Sequence, residues 1–161
     1  METNDLTRRG ALLSLAWLFA CATSRKKAVT PVSDDRLRTY EQYLSAWSAI
    51  TDDERAERLR GSLSPNVVFF NPTQTQRGLA GVAGQCAVFQ KRTPGGSFVA
   101  EEMLAFESHG IVKWRLLDAQ GKPGAFDMYG FDYGYDVVEF NAEGRIESIL
   151  MFVHTKGARL K

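Results

Sequence analysis

The hydrophobic period of this chain changes once, near residue 96, and that change limits the folds open to it. Before it, apolar residues recur at helical spacing. Leu37, Tyr40, Leu44, Trp47 and Ile50 form one stripe, with Ser33 or Asp34 placed to cap its start. Thr51, Asp52, Asp53 and Glu54 make a capping box for a second helix, whose apolar face holds Ala56, Leu59 and Leu63. Ser64-Pro65-Asn66 ends that helix. Val67-Val68-Phe69-Phe70 then reads as a short strand, closed by Asn71-Pro72 and a polar loop to Gly78. Leu79, Val82, Cys86 and Phe89 mark a third helix to about Lys91, which Gly81 and Gly84 weaken by roughly 1 kcal/mol each relative to Ala.

Thr93-Pro94-Gly95-Gly96 is a turn, and beyond it the period becomes two. Phe98, Ala100, Leu104 and Phe106 alternate with Glu101, Met103 and Glu107. Further strands are expected over Ile111–Leu117, Ala125–Phe140 and Arg145–His154, with a hairpin turn at Asn141-Ala142-Glu143-Gly144. Helices first and an antiparallel meander after predict an α+β domain, with three helices packed on one face of a curved sheet. A chain of 161 residues is large enough to bury such a core without disulfides or metals. Its net charge of +1, with scattered Lys and Arg, argues against a nucleic-acid binder.

Residues 1–21 read as an export signal and 22–33 as a polar, basic tether, leaving 34–156 as the domain. Arg8 and Arg9 precede an apolar run from Gly10 to Ala20, about half the roughly 20 residues that a membrane-crossing helix needs. Leu18-Phe19-Ala20-Cys21 resembles a bacterial lipobox, in which Cys21 is acylated. Thr7-Arg8-Arg9 resembles a twin-arginine signal. The expectation is an exported protein anchored in the bacterial envelope. The alternative is cleavage at Ala20-Cys21-Ala22 to a soluble periplasmic protein.

Gly134-Tyr135-Asp136-Val137-Val138-Glu139-Phe140-Asn141-Ala142-Glu143-Gly144-Arg145-Ile146 resembles the C-terminal hairpin of SnoaL-like proteins, of the nuclear-transport-factor-2-like superfamily. Tyr43-Leu44-Ser45-Ala46-Trp47 is similar to that family's opening helix. Val67 to Pro72 with Arg77-Gly78 is similar to its first strand and loop, and the likeness runs from about Leu37 to Phe152. It implies a cone-shaped fold, in which the curved antiparallel sheet wraps around three N-terminal helices and a hydrophobic cavity. It also implies frequent dimerisation through the sheet, so a homodimer is one expected partner. Members include polyketide cyclases, ketosteroid isomerase, dehydratases and non-catalytic binders, so the fold does not set the function.

Asp132 and Asp136 are the first candidates for chemistry. On an unbulged strand they share one face with Phe126, Met128, Val138 and Phe140, where an apolar setting raises a carboxyl pKa toward acid/base use. Four strand residues separate them by roughly 13 Å, too far to share a proton. A bulge at Gly130 or Gly134 would turn one outward, and Arg115 or Arg145 could pair with it. Tyr129 or His109 could polarise a carbonyl, although His109 beside Gly110 also reads as a turn residue. His154 lies at the chain's end.

Resemblance to the ketosteroid-isomerase branch puts a proton-abstracting Asp where this chain has Asn71. An amide has no useful basicity, so Asn71 orients a ligand or simply makes a turn. Tyr43, Trp47, Phe70, Phe89, Trp114 and Tyr129 are rings that could line the cavity and suit a flat apolar ligand. Tyr40 and Tyr135 are placed at its rim. Cys86, on an apolar helix face, is expected to be buried and inert. No nucleophile array, phosphate loop, zinc spacing or dinucleotide fingerprint is present, so neither metal nor cofactor is expected. Three functions fit. The first is an anchored protein that binds a small hydrophobic molecule, the second a cofactor-free acid/base enzyme of cyclase, isomerase or dehydratase type, and the third an envelope adaptor.

Overall fold

The computed structural model describes residues 34–123 and 131–153. Its helices are α1 (Asp34–Ser45), α2 (Asp52–Ser62) and α3 (Gly78–Arg92). Its strands are β1 (Leu63–Phe70), β2 (Thr75–Arg77), β3 (Ser97–Phe106), β4 (His109–Leu117), β5 (Tyr133–Phe140) and β6 (Ile146–Val153). The strands form one curved, unclosed sheet in the order β2-β1-β6-β5-β4-β3, with the helices packed against it. The expected α+β architecture is therefore present.

The meander runs from β3 to β6, and β1 extends it in parallel to β6, Phe69 opposite Ile149. The sheet is accordingly mixed. Three details differ from the expectation, the first being that His109 and Gly110, expected in a turn, open β4, and the turn falls at Glu107 and Ser108. Strand β1 begins at Leu63 rather than Val67, and a register shift between Leu63 and Val68 accommodates Pro65, which has no N–H to give a ladder. Strand β2 lies in the stretch read as a loop; three polar residues are too few to show a period. The long third strand expected from Ala125 is regular from Tyr133, and residues 124–130 lie outside the described ones.

The connection between α1 and α2 is held from the inside. The Arg55 side chain is buried and donates to the carbonyls of Ala46, Ser48 and Ile50, while its ion pair with Asp52 spans 2.7 Å. These carbonyls have left the helix ladder, so a forked cation with several donors replaces water there. The Thr51 capping box forms: Thr51 Oγ1 accepts from Glu54 N–H, and the Glu54 carboxylate accepts from Thr51 N–H at 2.9 Å. On α3, Gln90 donates to the carbonyls of Trp47 and Gly96 and accepts from Gly95 N–H. One side chain thus joins the end of α1 to the start of β3, and Trp47 is fixed between them.

Alternation along β4 and β5 sends Val112, Trp114 and Leu116, with Gly134, Asp136, Val138 and Phe140, to the helix side. The other face of the sheet leaves Phe70, Ile111, Tyr135, Leu150 and Phe152 exposed. Gly134 faces Trp114 in register, and a Cβ there would lie 2.4 Å from the indole and 2.3 Å from the Phe152 carbonyl oxygen. Gly84, inside α3, has open space around it.

Two glycine substitutions should therefore move stability in opposite directions. Gly134→Ala forces the indole or the strand aside and should cost about 3 kcal/mol or more in urea denaturation. Gly84→Ala should add roughly 0.5–1 kcal/mol by improving helix propensity.

Candidate functional site

Asp136 is the one carboxylate among the buried polar residues of the described chain, at 1% exposure. Tyr40 Oη donates to its Oδ2 at 2.8 Å, and Trp114 Nε1 donates to its Oδ1 at 2.8 Å. The donors come from α1 and β4, so the carboxyl joins three elements. Gly134 makes this possible, because only a residue without a side chain leaves room for the Trp114 ring beneath β5. Burial pushes the Asp136 carboxyl up to about 7, and the two hydrogen bonds pull the other way. Burial and the neighbouring Asp136 hold the Tyr40 and Tyr43 phenols well above their ordinary value, so both remain protonated.

Beside this carboxyl lies a cavity of about 340 Å³. Trp47, Phe69, Phe89, Phe98 and Phe131 supply its aromatic wall, and Met151 and Val153 its β6 side. The rings meet mostly edge to face: Trp47 lies 5.8 Å from Phe69, 5.9 Å from Phe89 and 5.7 Å from Phe98. Asp136 does not line this cavity. It borders a much smaller void with Tyr43, Leu44 and Trp114, and Trp47, Phe98 and Met151 border both spaces. A thin layer of three side chains thus stands between the buried acid and the open cavity.

The candidates from the sequence do not all meet here. Trp47, Phe89 and Asn71 line the cavity, while Tyr43 and Trp114 border the void at Asp136. Phe70 is displaced from the expected pocket: it points to the outer face of the sheet, and Phe69 takes the inner place because the strand alternates one residue out of step with the expectation. His109 also stands on the outer face, its Nε2 3.7 Å from Glu139 and its Nδ1 beside Ser108, away from Asp136. It therefore cannot act with Asp136 on one substrate.

Asp132 precedes the regular part of β5 and, instead of sharing the face of Asp136, lies 3.9 Å from Arg115. Arg115 and Lys113 also bind Glu101, which these partners hold well below the usual carboxylate range. Asn71 makes a turn: its Oδ1 accepts from Thr73 N–H, Thr73 Oγ1 and Gln74 N–H. Tyr129, His154 and Cys21 lie outside the described residues. Cys86 is buried, and desolvation pushes its thiol up to about 12. Among the described residues no three His, Cys, Asp or Glu side chains stand together as a metal cluster.

Sequence reasoning placed Tyr40 on a rim, yet it is fully buried. The signal was available: Tyr40 is in phase with Tyr43, Leu44 and Trp47 on the helix stripe. Phe98, Arg92 and Met151 were missed because nothing local distinguishes a cavity-lining residue from a neighbour that packs or faces solvent.

The pH dependence of stability reads the Asp136 environment. Between pH 5 and 7 the folded chain holds the Asp136 proton and the unfolded chain has lost it. Stability should therefore fall as pH rises through this window, by on the order of 2 kcal/mol. Glu54 and Glu101, with lowered values, act with the opposite sign and at lower pH. Urea denaturation across this range should show the decline in the wild type and a flat profile in Asp136→Asn.

The SnoaL-like domain model matches residues 40–149. A protein assigned as an isomerase of the SnoaL-like family, from Agrobacterium tumefaciens, is similar at 24% identity and a TM-score of 0.63, over 74% of this chain and 97% of that one. One assigned as a ketosteroid isomerase, from Kribbella flavida, is similar at 14% identity and 0.54, over 79% and 83%. One assigned as a polyketide cyclase, from Sinorhizobium meliloti, is similar at 16% identity and 0.50, over 71% and 94%. No curated protein matches in sequence. These likenesses establish the nuclear-transport-factor-2-like fold and, with the domain match over most of its length, the chain belongs to the SnoaL-like family.

Proposed function

We propose that this protein binds a small, flat apolar molecule in the cavity between α3 and the sheet. The observation that carries the reading is the composition of the wall: five aromatic rings around about 340 Å³, with the buried carboxyl closed off behind Trp47, Phe98 and Met151. Asn71 in the cavity lining supports it, since an amide there supplies no base.

A second reading has a specific observation in its favour. Asp136 is a buried carboxyl held near neutrality and separated from the cavity by one layer of side chains. Such a group can hold or deliver a proton near pH 7, as the acid/base-enzyme alternative requires. The names given to the similar isomerase and cyclase structures support the same alternative. The Asp136→Asn variant separates the two: turnover is lost in an enzyme, and only affinity changes in a binder.

Native mass spectrometry of the full chain carrying Cys21→Ser should detect a co-purifying apolar small molecule that persists unmodified during incubation. Val88→Trp, which fills the cavity from α3, should expel it. A ligand retained by that variant, or converted during incubation, overturns the binding reading. The exposed Phe70, Ile111, Leu150 and Phe152 support a homodimer through the outer sheet face, and the same spectra should show the dimer mass.

Export and anchoring through Cys21 belong to this proposal and rest on the N-terminal sequence. Wild-type protein expressed in a bacterium should partition with membranes and incorporate labelled fatty acid. Cys21→Ser should lose the label and move to the soluble fraction.

A further inference from the structure

The polar groups around the cavity are unequal in kind. Arg92, on the last turn of α3, is the one charged side chain among the described residues that line it, and no acidic side chain accompanies it. A guanidinium carries five N–H donors and no acceptor. Arg92 already takes part in an interaction within the chain, and a fork of five donors can serve more than one partner. Asn71, also in the lining, has its acceptor Oδ1 filled by three hydrogen bonds, which leaves its Nδ2 amide as the part that can serve a ligand.

Deeper in, Trp47 Nε1 is the one buried side-chain nitrogen or oxygen among the described residues without a hydrogen-bond partner. Trp47 is 6% exposed and lines the cavity, and an indole N–H can only donate. Tyr43, which borders the small void at Asp136 rather than the cavity, stands beside it edge-on with ring centroids 6.2 Å apart, and its hydroxyl is the polar group that interacts with the Trp47 side chain. The indole N–H has no accessible surface toward the cavity, so Trp47 offers a ligand its ring rather than its donor.

One positive charge with no acidic side chain beside it in the lining, set in an aromatic wall, selects a particular chemistry. We infer that the ligand is an apolar acid: a ring-containing body that packs on Trp47, Phe89 and Phe98, and a carboxylate or other anionic oxygen group that meets Arg92 at the mouth. Basic and strongly cationic molecules are disfavoured by the same lining. Arg92 also suits the negative end of the α3 dipole, as Lys91 does, but only Arg92 lines the cavity. The inference rests on the cavity being the binding site, and it adds the charge and polarity of what binds.

The test uses two fluorescent probes with one skeleton. N-phenyl-1-naphthylamine is neutral, and 8-anilinonaphthalene-1-sulfonate is the same molecule with an anionic group. On the full chain carrying Cys21→Ser, the anionic probe should bind about three- to fivefold more tightly than the neutral one, the range of an exposed ion pair. Arg92→Gln should bring the ratio of the two affinities close to one. Salt at 1 M, where the screening length is about 3 Å, should do the same in the unsubstituted protein. Val88→Trp should weaken both probes. A neutral probe that binds as well as the anionic one, or a preference that survives Arg92→Gln, overturns the acid inference while the cavity remains a binding site. Binding of both probes that Val88→Trp leaves intact places them elsewhere and overturns both readings.

Discussion

Burying a carboxyl group in this small domain imposes an arrangement that the surrounding elements satisfy together. An unpaired charge in an apolar interior is among the most expensive features a fold can carry. Asp136 is tolerated because α1 brings the Tyr40 hydroxyl and β4 brings the Trp114 indole, one to each oxygen. The Trp114 contact depends in turn on the missing side chain of Gly134 two residues earlier on β5. A helix, two strands and one glycine are thereby committed to a single geometry.

That commitment shapes the cavity as well. With Tyr40 held by the carboxyl, the α1 stripe sets Tyr43 and then Trp47 along the sheet, and Arg55 and Gln90 fasten the chain just past the helix end. Trp47 becomes the hub of the aromatic wall, in edge contact with Phe69, Phe89 and Phe98. The polar cluster and the apolar cavity therefore share their supports while remaining separate spaces. The layer of Trp47, Phe98 and Met151 borders both spaces and is all that stands between them.

The two faces of the sheet are equally distinct in charge. On the outer face, Glu101 is engaged by Lys113 and Arg115, and Arg115 also approaches Asp132, so most charges there are neutralised pairwise. Exposed pairs of this kind contribute little to stability. Their consequence is an outer surface where apolar side chains and paired charges alternate, whereas Arg92 is the one charged side chain among the described residues that line the cavity.

The sequence by itself determined the order of the three helices and of every strand but β2, the capping of α2 and the apolar stripe of α1, because each follows from spacing within a few residues. It also put Asp136 on the helix-side face of its strand, since alternation has a period of two. Only the tertiary structure decided that Asp132 pairs with Arg115, that Phe69 rather than Phe70 faces the cavity, and that Tyr40 rather than His109 accompanies Asp136. These outcomes depend on register shifts beside Pro65, on where β5 becomes regular, and on contacts between residues 96 positions apart. No local pattern encodes such pairings. They are selected by which arrangement lets a buried carboxyl such as Asp136 find its partners while the rings close-pack around it.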